Sequence, residues 1–190
     1  RAFRFPRGRP GTPRAPPEAG PRAAGVSGTP TLTDRLLVRR AAVLGAGVMG
    51  AQIAAHLVNA GIPAVLFDLP AKEGDPRGIV RKGIDGLGRL EPAPLGTKDL
   101  AAQIAPAHYG DDLALLAGCD LVIEAIAERL DWKRDLYAKI APHLAPQAIL
   151  ASNTSGLSLA ALADAVPAGV RPRFCGIHFF NPPRYMHLCE

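Results

Sequence analysis

The sequence has few of the features that mark a disulfide-stabilised, metal-binding or membrane-spanning protein. Its three cysteines, Cys119, Cys175 and Cys189, are odd in number and form no C-x-x-C or Cys/His spacing, which argues against a disulfide framework and against a zinc site. No apolar run approaches the roughly eighteen residues that a membrane span requires. We therefore expect a soluble protein from a reducing cytosol, without a metal ion.

Excess charge is also missing from most of the chain. The formal net charge is +5, and residues 1–30 alone hold six arginines against one acidic residue, Glu18. The rest of the chain is therefore balanced, and we expect no nucleic-acid partner for the folded part. Nucleic-acid binding by the basic segment is an alternative that a salt-dependent gel shift would test.

Residues 1–35 lack any hydrophobic period. They are rich in Pro, Gly, Ala and Arg and cannot bury enough apolar surface to offset the entropy of ordering, so we expect a disordered extension. A targeting peptide, an interdomain linker and an upstream translation artefact are alternatives. Seven prolines, with Ser27 as the only serine of residues 1–30, disfavour the targeting peptide. We assign residues 36–190 to one folded domain.

From residue 38 onward, short apolar runs alternate with segments of helical period. The predicted strands are AAVLGAG, PAVLFDL, IAPAHY, CDLVIEAI, AILAS and RFCGIHFF. The predicted helices are VMGAQIAAHLVNAG, residues 76–90, DDLALLAG, LDWKRDLYAKIAPHL and LSLAALADAV. This alternation predicts an α/β domain of the Rossmann type, doubly wound around a mostly parallel sheet.

A glycine motif lies between the first strand and the first helix. Gly45, Gly47 and Gly50 have the spacing G-x-G-x-x-G. Gly45 would allow the tight turn, Gly47 a close approach of the backbone to a diphosphate, and Gly50 close packing of helix on strand. The helix begins at Val48 and Met49, where unpaired N–H groups would face the anion. The alternative is a glycine-rich turn without a ligand.

Asp68 ends the second strand, 18 residues after Gly50, where an acidic side chain accepts hydrogen bonds from an adenosine ribose. A 2′-phosphate at that place would be repelled by up to roughly 4 kcal/mol. The sequence therefore predicts NAD as the cofactor in preference to NADP. The alternative is an acid with only a structural role at the strand end.

Polar side chains follow three later strands, and the carboxyl ends of these strands should meet at one edge of the sheet. The candidates are Glu124, Glu128 and Lys133 after the first; Ser152, Asn153, Thr154 and Ser155 after the second; and His178 and Asn181 after the third. We expect Asn181 and Ser155 to contact a substrate. Ser155 alone could equally be a helix cap.

The last segment can pair a histidine with an acid. The prolines at 182–183 break the chain, so that a returning strand could bring Glu190 beside His178 and fix the tautomer and orientation of its ring. Such a base would take the proton of a secondary alcohol while hydride leaves the same carbon for a nicotinamide. Ser155 could hold the same oxygen. A buried structural histidine is the alternative.

At these residues the chain resembles the 3-hydroxyacyl-CoA dehydrogenase family, specifically its NAD-binding domain. The matching stretches span residues 41–190 and include VLGAGVMGAQIAAHLVNAG, DLVIEAIAERLDWK, ILASNTSGLSL and GIHFFNPPRYMHLCE. The resemblance implies NAD-dependent oxidation of an L-3-hydroxyacyl-CoA to the 3-ketoacyl-CoA in fatty-acid β-oxidation. It also implies roles for the matching residues: base for His178, partner acid for Glu190, substrate-oxygen contact for Ser155, and cofactor contacts for Glu128, Lys133 and Asn153.

The FNPPRYMH form resembles the large bacterial enzymes in which this domain is joined to an enoyl-CoA hydratase. This implies a bacterial cytoplasmic protein in preference to a mitochondrial one. Family members continue into a helical domain that dimerises and closes over the acyl chain, and these 190 residues contain no such segment. We therefore expect the chain to bind NAD but to turn over substrate poorly by itself, and to form a homodimer only at full length. Cys189 and His187 replace the usual Val and Lys, which leaves the CoA contacts at 187 open.

Two other functions are alternatives to a 3-hydroxyacyl-CoA dehydrogenase. A non-catalytic dinucleotide-binding or structural protein could keep the fold without the chemistry, but the set of Ser155, His178 and Glu190 argues against it. A β-hydroxyacid dehydrogenase would use a lysine as its base, and HFFNP stands where that lysine motif would be.

Overall fold

The protein is described by a computed structural model that covers residues 37–190. The predicted extension, residues 1–35, lies outside the described residues, and its boundary with the domain stays a prediction. The helices and strands are β1 (Ala41–Leu44), α1 (Val48–Asn59), β2 (Ala64–Asp68), α2 (Gly78–Leu87), β3 (Ile104–His108), β4 (Leu121–Glu124), α3 (Leu130–Ile140), β5 (Ile149–Ser152), α4 (Leu159–Ala165) and β6 (Phe174–Gly176). None of the helices in this part of the chain is long and apolar enough to cross a membrane.

The six strands form one parallel sheet in the order β3-β2-β1-β4-β5-β6. The chain starts in the middle, at β1, builds outward through β3, and then returns to place β4 on the other side of β1. This reversal creates a crevice at the carboxyl ends of β1 and β4, where ligands bind in such sheets. The predicted Rossmann-type α/β fold is confirmed.

Helices cover both faces of the sheet, which explains why its strands are nearly continuous apolar runs. Within β1, Ala42 and Leu44 point into one buried layer and Ala41 and Val43 into the other. The first layer is completed by α3 and α4, and the second by α1 and α2. The carboxyl edge of the sheet, where Asp68, Glu124 and Ser152 end their strands, lies between the two layers.

The segment DDLALLAG, which was predicted as an α-helix, forms a short 3₁₀ helix from Leu113 to Gly118. The carboxylate of Asp112 does not cap this helix. It accepts hydrogen bonds from the N–H of His108 at 3.0 Å and from the guanidinium of Arg77 at 2.9 and 2.6 Å. A second 3₁₀ helix, Lys98–Gln103, lies where no helix was predicted. Short connections of this kind commonly take the 3₁₀ form.

The last strand is shorter than predicted. It was expected over residues 173–180 but ends at Gly176. The N–H of Ile177 still donates to the carbonyl of Ser152 at 3.0 Å, and from there the chain leaves the sheet. Beyond Ile177, backbone groups bond to the side chain of Asn153 and to the backbone of Glu190, so residues 177–181 belong to the candidate active site.

Candidate active site

The glycine turn has the geometry that a diphosphate needs. Gly45 has a φ of 106°, and a Cβ atom there would lie 2.8 Å from the carbonyl oxygen of Ala125. A Cβ atom at Gly50 would overlap the carbonyl of Gly45, so only glycine lets α1 pack this close to the turn. A Cβ atom at Gly47 would have no heavy atom within 4 Å. The space in front of Gly47 is therefore open to a ligand.

Asp68 lies against this turn. Its Oδ2 accepts a hydrogen bond from the N–H of Ala46 at 2.6 Å, and its Oδ1 accepts one from the N–H of Leu69 at 2.7 Å. These bonds orient the carboxylate at the carboxyl end of β2, beside the glycine turn. An acid in this place can accept hydrogen bonds from ribose hydroxyls.

A cleft of about 540 Å³ opens beside the turn, which is a size typical of small-molecule sites. Gly45, Gly47 and Asp68 line one wall of the cleft. The other lining residues come from the ends of β2, β3 and β4 and from α3: Leu69, Tyr109, Ala125, Ile126, Ala127, Trp132, Asp135, Leu136 and Lys139. Sequence reasoning missed this second group because its apolar members carry no signal of ligand contact and because Asp135 and Lys139 lie within a helix, where charged residues are common. The turn, the acid and the open cleft together fit a dinucleotide.

Behind the cleft, Glu124 is 0% exposed yet fully hydrogen-bonded. The Nζ of Lys133 lies 2.7 and 2.9 Å from its two oxygens. Glu124 also accepts hydrogen bonds from the N–H of Ile126 at 2.8 Å, the hydroxyl of Tyr137 at 2.8 Å and the hydroxyl of Ser152 at 2.7 Å. Burial, followed by the charge of Glu124, raises the pKa of Tyr137, so its hydroxyl is a donor at neutral pH.

Glu128 connects this cluster to the loop after β5. It accepts hydrogen bonds from the hydroxyl of Thr154 and the N–H of Ser155, both at 2.7 Å, and lies 3.4 Å from the Ser155 hydroxyl. The Nζ of Lys133 is 3.7 Å away. Burial alone would raise the pKa of Glu128, but the bonds from Thr154 and Ser155 and the charge of Lys133 hold it below its ordinary value. Glu128 is therefore ionised at neutral pH and fixes Ser155.

The structure decides the helix-cap alternative for Ser155 and shows the surroundings of Lys133. Ser155 is not a helix cap, because Ser158 precedes α4 and accepts the hydrogen bond from the N–H of Ala161. Lys133 is 1% exposed, its ammonium lies against Glu124 and Glu128, and it does not line the cleft. A direct contact between Lys133 and a cofactor stays a prediction.

His178 and Glu190 lie side by side. The Nδ1 of His178 is 3.3 Å from Oε2 of Glu190. Their backbones also pair, with the N–H of His178 donating to the carbonyl of Glu190 at 2.8 Å and the N–H of Glu190 to the carbonyl of His178 at 3.1 Å. The expected returning strand, MHLCE, is reduced to a single antiparallel bridge between Phe179 and Cys189. The chain reversal after the proline pair thus brings the two side chains together.

Two side-chain amides attach this segment to the sheet and to α1. Oδ1 of Asn153, after β5, accepts a hydrogen bond from the N–H of Phe179 at 2.9 Å. Oδ1 of Asn181 accepts one from Nε2 of Gln52 at 3.2 Å. Gln52 also donates to the carbonyl of Val48, in the first turn of α1. The role of Gln52 could not be predicted from the sequence, because it looks like an ordinary helix residue. A substrate contact of Asn181 stays a prediction.

Comparison with known proteins agrees with this geometry. The family model described as "3-hydroxyacyl-CoA dehydrogenase, NAD binding domain" matches residues 40–190. This chain belongs to the 3-hydroxyacyl-CoA dehydrogenase family. The resemblance inferred from the motifs is thereby confirmed, and so is NAD as the cofactor of the domain.

Similar proteins in this family are longer than the chain. It is 44% identical over 154 residues to a Rickettsia felis protein named a fatty acid oxidation complex trifunctional enzyme, covering 80% of this chain and 21% of that protein. It is 42% identical over 154 residues to a Deinococcus radiodurans 3-hydroxyacyl-CoA dehydrogenase, covering 80% of this chain and 44% of the relative. The crystal structure of an Escherichia coli 3-hydroxybutyryl-CoA dehydrogenase has a TM-score of 0.66 and 34% identity, and the match covers 81% of this chain and 32% of that one. The chain thus spans less than half the length of these relatives.

Proposed function

We propose that this domain serves the NAD-dependent oxidation of an L-3-hydroxyacyl-CoA to the 3-ketoacyl-CoA. The observation that carries the proposal is the pair of His178 and Glu190, 3.3 Å apart. Asn153 attaches that pair to the carboxyl end of β5, at the same edge of the sheet as the dinucleotide cleft. A base and a cofactor site at one edge are what alcohol oxidation requires.

The residues then have distinct roles. A proton on Nδ1 of His178 donates to Glu190, which leaves the Nε2 lone pair free to take the hydroxyl proton of the substrate. Ser155 is held by Glu128 through its N–H, and its hydroxyl proton turns from Glu128 to the same substrate oxygen when substrate binds. Asn181 contacts the substrate. Bound NAD supplies the hydride acceptor. The residues proposed to hold it are Gly45, Gly47, Val48, Met49, Gly50, Asp68, Glu128, Lys133 and Asn153.

The names of the relatives support an assignment to fatty-acid β-oxidation. Relatives named as fatty acid oxidation complex enzymes or subunits come from bacteria. We propose that this protein acts on an acyl-CoA substrate and is located in a bacterial cytoplasm. We also propose that the longer protein contains a fused enoyl-CoA hydratase and a helical domain that completes the site, and that it forms a homodimer.

Titration of NADH fluorescence tests the cofactor site in the 190-residue chain. We expect binding by the unchanged protein, and about tenfold or greater weakening in Gly47→Ala, equal to at least about 1.4 kcal/mol, because the new methyl group enters the space for the diphosphate. Gly86→Ala on α2 is the matched control, since a Cβ atom there also has no heavy atom within 4 Å. A wild-type chain that does not bind NADH would refute the proposal.

Turnover is tested in a chimera, because the relatives are longer than this chain. Residues 40–190 replace the matching segment of the Deinococcus radiodurans relative, and oxidation of NADH by acetoacetyl-CoA is followed. We expect His178→Ala to lower kcat by roughly a hundred- to ten-thousandfold, as removal of a general base does, with unchanged NADH binding. Glu190→Gln should lower kcat by less. A chimera that binds NADH but shows no turnover would favour a non-catalytic dinucleotide-binding protein.

A further inference from the structure

Two polar side-chain atoms within residues 37–190 are buried without a hydrogen-bond partner, Nδ1 of His56 and the hydroxyl of Tyr109. His56 lies on α1 with its ring edge-on to Phe179, and it does not line the dinucleotide cleft. Tyr109 does line that cleft, together with Gly45 and Asp68. Tyr109 therefore borders the place where the proposed ligand binds, and its hydroxyl is a buried donor without a partner.

Tyr109 is held firmly in this position. It follows β3, and its N–H donates to the carbonyl of Asp68 at 3.0 Å. Its ring stacks on Phe67, with the ring centroids 6.0 Å apart and the planes inclined by 12°. The residue is 5% exposed. The side chain thus forms part of the floor of the cleft, beside the acid that is proposed to hold the ribose.

The missing partner has an energetic meaning. A buried hydroxyl without a hydrogen bond destabilises the folded state, and phenylalanine would fill the same space without that penalty. Burial, and next the charge of Asp68, place the pKa of Tyr109 well above its ordinary value, so the hydroxyl keeps its proton at neutral pH. Such a protonated donor can form a hydrogen bond only when a bound ligand supplies the acceptor.

We propose that Tyr109 is a dinucleotide-binding residue whose hydroxyl donates a hydrogen bond to an oxygen of the adenosine ribose. The inference rests on the proposed function, since it needs a dinucleotide in the cleft. It adds a contact from β3 to those already assigned to the glycine turn and β2. The ligand class is any molecule with an adenosine ribose and diphosphate, and the nicotinamide is not required.

The test is Tyr109→Phe, which removes the hydroxyl and keeps the ring. We expect NADH and ADP-ribose to bind about two- to tenfold more weakly, the loss of one hydrogen bond. Without ligand, the thermal midpoint should stay the same or rise, because no partner is lost. Tyr185→Phe is the matched control. Its hydroxyl donates to the carbonyl of Ala93 at 2.8 Å and does not line the cleft, so NADH affinity should not change.

The outcomes separate this inference from the proposed function. Wild type and Tyr109→Phe with equal affinities for both ligands would overturn the role of Tyr109 and leave the NAD site intact. Weaker binding accompanied by a lower thermal midpoint would also overturn it, since the hydroxyl would then stabilise the fold itself. A wild-type chain that fails to bind NADH would overturn the proposed function, and this inference with it.

Discussion

Replacing Lys133 with methionine removes the only cation that touches Glu124 among the described residues. The carboxylate keeps three neutral donors, the N–H of Ile126 and the hydroxyls of Tyr137 and Ser152. Removing one partner of a buried ion pair costs about 3–5 kcal/mol. Because the neutral donors stay in place, we expect the lower end of this range, about 3 kcal/mol of unfolding free energy.

Urea unfolding followed by circular dichroism measures this loss, with a double-mutant cycle to isolate the pair. Glu124→Gln alone should also destabilise, whereas the double variant should cost at least about 2 kcal/mol less than the sum of the single variants, since neither charge is then left unpaired. Arg129→Met is the matched control. Its ion pair with Asp131 is exposed and screened by water, so this substitution should leave the free energy of unfolding nearly unchanged. Strictly additive effects of the two buried substitutions would refute the reasoning.

Three further predictions concern stability and cofactor choice. Gly50→Ala should lower the free energy of unfolding by about 1–3 kcal/mol or more, because its methyl group overlaps the carbonyl of Gly45; a normal thermal midpoint would contradict this. Asp68→Asn should raise the affinity for NADPH relative to NADH about tenfold or more in paired titrations, because the repelling charge is gone; an unchanged ratio would place the choice of cofactor elsewhere. The hydrogen bonds from Arg77 are the chief cause of the lowered pKa of Asp112. The ionised Asp112 therefore stabilises the fold above the ordinary pKa of about 3.9, and this stabilisation is lost as the pH falls below that value. Asp112→Asn should make the free energy of unfolding, measured by urea titration, fall less steeply at acid pH. Superimposable pH profiles of the two proteins would contradict this.

The fold was predictable because local signals and tertiary structure agree over most of the chain. The glycine spacing identifies the first strand, turn and helix, and continuous apolar runs identify strands that are buried on both faces. The prediction was wrong where a distant partner decides the local structure. Asp112 looks like an acid that opens a helix, but Arg77, 35 residues away, takes its carboxylate. No local pattern reveals such a bond.

The candidate site was predictable to the level of which strand ends carry polar residues. Apart from the pairing of His178 with Glu190, the hydrogen-bond partners of the individual side chains were not predictable. Lys133 was expected near the cofactor, and no sequence pattern showed that its ammonium would be buried against Glu124. The unpartnered hydroxyl of Tyr109 depends on the packing of β3 against β2, which a single sequence does not show.

The position of the proposed base has to come from the backbone, because the side-chain contact between His178 and Glu190 is too exposed to fix it. The side chain of Glu190 is 62% exposed and that of His178 is 26% exposed, so their attraction is screened and contributes little to stability. Two backbone hydrogen bonds join the same residues, and Asn153 anchors the adjacent residue to β5. Asn153→Ala should therefore disturb the base without touching it. We expect a lower kcat in the chimera with nearly unchanged NADH affinity if anchoring is its main role, whereas equal losses of both would identify Asn153 chiefly as a cofactor contact.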